Sequence, residues 1–316
     1  MSAGAETPSS EEPVLSRFAA EGRVPSSSAE EAPKDDRPRT LRCLILGAVV
    51  VVALVAGVEI FERYLTPIYD AAADTDSPGG WQVRAGRPGP EWASTTERPG
   101  RPYMTQRISS TQGPVFDGGN GYRMETRGRD YGAYDDATCD CERAELGNGN
   151  PSRSGFGDRL LGEGDDVYYG FAIHLPRDHV FGDWQVYWQS KSIAPAGSPE
   201  NALDIRDGQW QLANNDEPST SIRTSPIAPA TTSVWHRFVI RIKYSSDYSK
   251  GRQEVWHAEG RDGALTKRIS ATTHTLEKGK ASHARVGYYH SPLKGRTSHV
   301  FVDAFRAGRT FTSVAP

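Results

Sequence analysis

The 316-residue sequence lacks the features that mark metal-binding, disulfide-rich and nucleic-acid-binding proteins. Its three cysteines are too few for a disulfide framework, and neither they nor the eight histidines recur at zinc-ligand spacing. The formal net charge of −3 provides none of the basic excess typical of nucleic-acid-binding domains. We therefore expect no metal, no other cofactor and no nucleic-acid partner.

Long helical periodicity is absent from the C-terminal two thirds of the chain. From residue 103 onward, short alternating patterns are separated by turns rich in Gly, Asp and Asn. Many short strands at this spacing predict an all-β sandwich or jelly roll of two packed antiparallel sheets. We expect one such domain over residues 103–316, and a monomer.

The one long apolar run lies in the N-terminal third. Residues 1–40 are rich in Ser, Glu, Ala and Pro and predict a disordered cytoplasmic tail. Residues 41–64 predict a transmembrane helix, favoured over a buried core helix because the run has no amphipathic pattern. Basic residues precede this run and acidic residues follow it, which places the rest of the chain outside the cytoplasm.

A cleaved signal peptide is the competing interpretation of that run. The leader before it is long for a signal peptide and no clear cleavage site follows, so we favour an uncleaved signal anchor in the cell membrane. Residues 65–102, rich in Pro and Gly, predict an extracellular linker.

Two consecutive strand patterns, at residues 167–175 and 184–191, organise the folded part. In the first, one face collects the apolar side chains Val167, Tyr169, Phe171, Ile173 and Leu175. In the second, alternation separates Trp184, Val186 and Trp188 from Gln185, Tyr187, Gln189 and Lys191. Amide, phenol and amine groups on one sheet face suit a sugar-binding groove, although an ordinary solvated face has the same pattern.

Other strands follow the same reasoning. The Asp207-Gly208 dipeptide between alternating runs predicts a hairpin over residues 203–212. Residues 234–244 predict a strand with Phe238, Ile240, Ile242 and Tyr244 inward. Further strands are predicted at residues 121–127, 138–146, 253–257, 284–290 and 299–305.

Cys139 and Cys141 flank a single residue in one of these strands. A disulfide across one residue is strained, two free thiols outside the cytoplasm are unusual, and a metal site would need further ligands. We favour a local disulfide that kinks the strand just before Arg143.

Eight short motifs follow one another in the C-terminal two thirds of the chain. They lie at residues 121–125, 143–146, 168–176, 188–191, 205–212, 235–240, 286–290 and 302–306. Taken in this order, they resemble the heparin lyase-like polysaccharide lyases, which are related to the alginate lyases. The resemblance covers residues 114–311 and implies a concanavalin-like β-jelly roll.

Related jelly-roll lyases carry an Arg-x-Glu-Leu strand, a Gln-x-His strand, and a strand with Lys, Gly and a following Tyr. Here Arg143 and Glu145 match the first motif. Gln189 matches the second, but Lys191 stands at the His position. The third has an arginine in place of Lys and keeps the tyrosine.

The resemblance therefore implies Tyr289 and Lys191 as catalytic candidates. The resemblance also implies that Arg285, the arginine of the third motif, binds substrate together with the matched residues of the first two motifs. To these substrate-binding candidates we add Tyr187, from the polar face of its strand, and His290, the neighbour of Tyr289.

A polysaccharide lyase removes the proton next to a uronate carboxyl group and expels the glycosidic oxygen. A guanidinium such as Arg143 and an amide such as Gln189 suit the developing dianion. Tyr289 would act as the acid, and also as the base if both proton transfers occur on one face. Lys191 is the alternative base, if cationic neighbours lower its pKa.

These observations predict a membrane-anchored extracellular lyase of an anionic, uronic-acid polysaccharide. One alternative is a carbohydrate-binding surface protein of the same fold that lost catalysis at Lys191. Another is a glycoside hydrolase, which would need two carboxylates facing each other across the groove.

Overall fold

The computed structural model describes residues 69–70, 103–128, 141–147, 160–192, 199–215 and 222–316. Within these ranges the chain forms strands and no helix, so none there is long and apolar enough to cross a membrane. The predicted tail at 1–40 and anchor at 41–64 lie outside the described residues, as does all of the linker except Tyr69 and Asp70.

Fourteen strands are present in the described ranges. They are β1 (Tyr69–Asp70), β2 (Thr105–Ser109), β3 (Asn120–Thr126), β4 (Glu142–Gly147), β5 (Asp166–His174), β6 (Gln185–Ser192), β7 (Asn201–Arg206), β8 (Gln209–Asn215), β9 (Ile222–Pro229), β10 (Trp235–Lys243), β11 (Arg252–Glu259), β12 (Thr266–Thr272), β13 (Ser282–His290) and β14 (Ser298–Gly308).

The strands form two antiparallel sheets, consistent with the predicted jelly roll. The large sheet has the order β12-β11-β10-β5-β14-β3-β2, with β1 paired to β14. The small sheet has the order β4-β13-β6-β7-β8-β9. Six of the twelve neighbouring pairs join strands that are not consecutive in sequence, as expected when a chain alternates between two sheets.

The core lies between the sheets. Tyr169 of the large sheet contacts Trp188 of the small sheet with ring centroids 5.1 Å apart, and Phe238 contacts Trp210 at 5.0 Å. The predicted inward faces of β5 and β10 are confirmed, since all their apolar members are buried in this core.

The predicted hairpin is also confirmed, as β7 and β8. Asp207 and Gly208 both have positive φ, 51° and 70°, which is the backbone of a type I′ turn. Cys141 is disulfide-bonded. Its predicted partner Cys139 lies outside the described residues, so that pairing stays a prediction.

The face assignment of β6 was wrong at its centre. Tyr187 and Trp188, although consecutive, both enter the core, and the register against β7 shifts between Val186 and Trp188. Such an irregularity adds a residue and reverses the alternation beyond it. As a result Trp184 and Val186 share the outer face with Gln189 and Lys191, whereas Gln185 lies on the core side and donates to the Tyr288 hydroxyl.

Candidate active site on the small sheet

Three adjacent strands, β4, β13 and β6, bring most of the predicted site residues to the outer face of the small sheet. Tyr289 of β13 lies opposite Arg143 of β4, and Arg285 lies opposite Gln189 of β6. Glu145 is two residues beyond Arg143, on the same face. Residues from three separate parts of the chain therefore meet because the strand order is β4-β13-β6.

Glu145 is the centre of a buried polar group. The Gln189 amide donates a hydrogen bond from Nε2 to Glu145 Oε1, and Arg285 Nη1 lies 3.7 Å from Glu145 Oε2. Glu145 and Gln189 are both buried, whereas Arg285 is partly exposed. The carboxylate thus orients an amide and a guanidinium on either side of it.

Tyr289 lies between a cation and an aromatic ring. The Arg143 guanidinium carbon is 4.0 Å from the centroid of the Tyr289 ring, and the Trp184 ring meets Tyr289 edge-on at 5.0 Å. Both contacts are attractive, since the ring face is electron-rich and its edge is not. They hold a phenol beside a positive charge at the surface of the sheet.

Gly287 allows β4 and β13 to approach each other in this region. Its φ is +155°, and a Cβ at this position would overlap the carbonyl oxygen of Ala144 and the Cα of Glu145. Only glycine has both the conformational freedom and the missing side chain that this contact requires. The Gly of the third motif is therefore a structural requirement of the site.

The register does not bring Lys191 to Tyr289. Lys191 is paired with His283, which precedes Tyr289 by six residues on β13. Six residues of extended strand span about 20 Å, farther than a lysine side chain reaches. The two predicted catalytic residues therefore do not meet at one glycosidic bond.

Tyr187 and His290 lie on the core side of the sheet, not with the other predicted substrate-binding residues. The Tyr187 hydroxyl is 3.0 Å from His179 Nε2. His290 Nε2 is 2.7 Å from the Thr126 hydroxyl, and burial lowers the pKa of His290 to about 4. Placing them with the site was wrong for two reasons: the shift in β6, and the inward alternation of β13 at His290.

Two residues on the site face were missed by sequence reasoning. His283 alternates with Arg285, a pattern that could have revealed it. Asp204 is fully buried, its Oδ2 accepts a hydrogen bond from Arg206 Nε at 2.7 Å, and burial raises its pKa. Nothing in the sequence around Asp204 distinguishes it from an ordinary strand residue.

Asp204 and Glu145 bear on the glycoside hydrolase alternative. Their strands, β7 and β4, are three positions apart in the small sheet, which separates their backbones by about 14 Å. The carboxyl pair of a glycoside hydrolase is about 5–9.5 Å apart. Glu145 is also engaged by Gln189 and Arg285, so the pair does not favour that mechanism.

The described residues form no metal centre. Across the part of the chain that the structure describes, no group of three His, Cys, Asp or Glu side chains could hold a metal ion. A cavity of about 270 Å³ lies elsewhere, beside Tyr248, His274 and Glu277. No predicted site residue lines it.

Two packed antiparallel sheets, one with arginine, amide and phenol groups on its outer face, give this protein the architecture of a jelly roll. The family model described as polysaccharide lyase matches residues 88–306, and the chain belongs to this family. No curated protein sequence matches the chain.

The chain is similar to several solved structures at low sequence identity. The catalytic domain of a GH131 β-glucanase from Podospora anserina is 15% identical, with a TM-score of 0.50, covering 79% of this chain and 98% of that domain. A family 7 alginate lyase, A1-II′, is 12% identical (TM-score 0.46; 64% and 80% covered). The PL-14 alginate lyase from Aplysia kurodai is 10% identical (TM-score 0.43; 65% and 86% covered).

Proposed function

We propose that this chain is a lyase of the heparin lyase-like kind that cleaves a uronic-acid polysaccharide by β-elimination. The supporting observation is that Arg143, Gln189 and Tyr289 share one face of three adjacent strands, with the guanidinium of Arg143 over the phenol ring. An anionic substrate suits a face that presents Arg143 and Arg285.

In this mechanism the uronate carboxylate binds at Arg143, and Gln189 is oriented alongside by Glu145. Neutralising the carboxylate makes the proton on the adjacent carbon easier to remove. Fixed donors stabilise the resulting dianion better than water does because they need no reorganisation.

Tyr289 takes that proton and passes it to the departing glycosidic oxygen. The C–H bond and the C–O bond break, a carbon–carbon double bond forms, and the leaving sugar gains the proton. Tyr289 begins and ends this cycle as a phenolate, and Arg143 stabilises that negative charge before the first transfer and after the second. Tyr289 serves as both base and acid because Lys191, the alternative base, is paired with His283, about 20 Å from Tyr289 along β13.

The test is the ultraviolet absorbance of unsaturated uronides, released by the full-length chain from glucuronan, alginate, heparin and hyaluronan. Tyr289→Phe should lower turnover by about 10²–10⁴-fold, the usual contribution of a positioned proton-transfer group. Tyr168→Phe, on the outer face of the large sheet, is the matched control and should leave turnover unchanged. Equal turnover in the Tyr289 variant and wild type would refute the mechanism.

A catalytically inactive glycan-binding protein is the second candidate. It is favoured by the Gln189 amide, which already donates to Glu145, and by Lys191 at the His position. Retardation of the chain by an acidic polysaccharide in affinity electrophoresis, with no new absorbance from any polymer of the panel, would support this candidate.

We also propose that residues 41–64 anchor a monomer in the cell membrane with the lyase domain outside. The apolar run and the basic residues before it support this arrangement. Protease added to intact cells should remove the domain, and alkaline carbonate should leave the chain in the membrane fraction. Light scattering of the detergent-solubilised chain reports its oligomeric state.

A further inference from the structure

We propose that Lys191, His283 and Arg285 form a second subsite, which binds the carboxylate of a uronate residue at a distance from the bond cleaved at Tyr289. This proposal rests on the proposed function, because it assumes an acidic polymer as substrate. It assigns a role to His283 and gives Lys191 a binding role in place of a catalytic one.

The first observation is an unpartnered histidine. His283 is only 6% exposed, and neither of its ring nitrogens has a hydrogen-bond partner among the residues that the structure describes. Buried polar atoms in proteins are nearly always hydrogen-bonded, and leaving one unbonded costs about 1–3 kcal/mol. Two such nitrogens in one side chain on the site face indicate groups that a ligand would satisfy.

The second observation is the charge around this ring. Arg285 lies two residues along the same strand, Lys191 faces His283 from β6, and Glu145 of β4 is engaged by Arg285 and Gln189. Burial, followed by the charges of Arg285 and Lys191, lowers the pKa of His283 to about 3. His283 is therefore neutral near pH 7, with one N–H to donate and one nitrogen to accept.

The ligand that satisfies these groups carries a negative charge and a hydroxyl group. A carboxylate can accept from the two cations and from the imidazole N–H, while a sugar hydroxyl donates to the other ring nitrogen. A uronate ring has both groups. A neutral sugar lacks the negative charge that two neighbouring cations attract.

The spacing separates this subsite from the cleavage centre. His283 and Tyr289 are six residues apart on one extended strand, or about 20 Å. A single sugar cannot contact both. Only an oligosaccharide long enough to lie along β13 would occupy the second subsite while its bond is cleaved beside Tyr289.

Steady-state kinetics of the full-length chain on a long acidic polymer and on short oligouronides test this separation. His283→Gln and Lys191→Gln should each raise KM for the polymer about tenfold, the effect of losing roughly 1.4 kcal/mol of binding. The kcat value, its pH profile and the kinetics on short oligouronides should stay the same. Lys243→Gln on the large sheet is the matched control for loss of a positive charge.

A fall in kcat with an altered pH profile and an unchanged KM in His283→Gln would overturn the proposal, since it would make His283 a proton-transfer group. Lys191 is partly exposed, so Lys191→Gln provides the test if the His283 variant does not fold. If wild-type protein releases no unsaturated product, binding of the same variants to immobilised polymer decides the matter. Weaker binding than Lys243→Gln supports the subsite even then, and equal binding overturns it.

Discussion

Two arginines, one on each sheet of this protein, are held differently. On the large sheet, Arg241 donates to Asp166 at 2.9 and 2.7 Å and to Glu254 at 2.7 Å. On the small sheet, Arg285 is 3.7 Å from Glu145, longer than a hydrogen bond. One guanidinium is held by two carboxylates, whereas the other remains at ion-pair distance from a carboxylate that also accepts from an amide.

Histidines show the same contrast. His236 of the large sheet bonds the Thr231 carbonyl at 2.8 Å through Nε2 and lies 3.1 Å from His257 through Nδ1. Among the described residues, His257 of the large sheet lacks a partner at Nδ1 but lies within reach of His236 through Nε2, whereas His283 of the small sheet has no partner at either nitrogen. Buried polar groups are usually bonded within the protein, so His283 is the stronger exception.

The largest effect should come from crowding the backbone of each sheet. Gly287→Ala in the small sheet and Gly170→Ala in the large sheet would both force a Cβ into a carbonyl oxygen. We expect each to lower the free energy of unfolding by about 1–3 kcal/mol, the usual cost of overpacking. Chemical denaturation measures this cost.

Activity separates these two variants. Only Gly287→Ala should also reduce the kcat of the folded protein, because it displaces Glu145 and Tyr289, and small misplacements cost up to about 100-fold. Equal kcat in the two variants would contradict a division of roles between the sheets.

Acid should destabilise the fold through buried neutral histidines in both sheets. The pKa values of His257 and His283 are lowered to about 3 by burial, and that of His290 to about 4. Because these folded-state pKa values lie below the unfolded value of about 6.5, the unfolded chain gains protons first as the pH falls. The free energy of unfolding is therefore unaffected by these histidines above pH 6.5 and falls as the pH is lowered from there toward pH 3.

At pH 5 the free energy of unfolding should be lower than at pH 7 by at most about 2 kcal/mol for each histidine. Denaturation midpoints at pH 7 and pH 5 measure it, and His257→Gln should reduce the difference. A saturating acidic oligosaccharide should also reduce the difference between pH 7 and pH 5 in wild type, because its carboxylate would lie beside His283 and favour the protonated ring. No such protection in wild type would count against the second subsite.

The smallest effect compares two arginines directly. Arg241→Gln should lower stability by about 1 kcal/mol, or 2–4 °C in Tm, because it breaks partly exposed ion pairs, and should leave KM unchanged. Arg285→Gln should raise KM for the acidic polymer with little change in Tm. Melting curves and polymer kinetics on both variants check this. A lower Tm in Arg285→Gln together with a higher KM in Arg241→Gln would mean that the large sheet, not the small one, binds the polymer.

Sequence reasoning identified most strands because apolar alternation reports directly on burial. The inward residues of β5, those of β10 and the hairpin turn at Asp207 needed nothing beyond local pattern. The same rule failed in β6, since an added residue at Tyr187 reverses the alternation and no local signal marks it. Arg143, Gln189 and Tyr289 were selected by family resemblance, and that resemblance did not reveal His283.

The sequence by itself determined that the C-terminal part is an all-β protein, and which polar residues could serve an acidic glycan. These properties depend on residue type and on neighbours two positions away. Only the tertiary structure decided which of those residues meet. Register between strands far apart in the chain joined Tyr289 to Arg143, paired Lys191 with His283, and turned Tyr187 and His290 into the core, because pairing depends on how both sheets pack rather than on any local pattern.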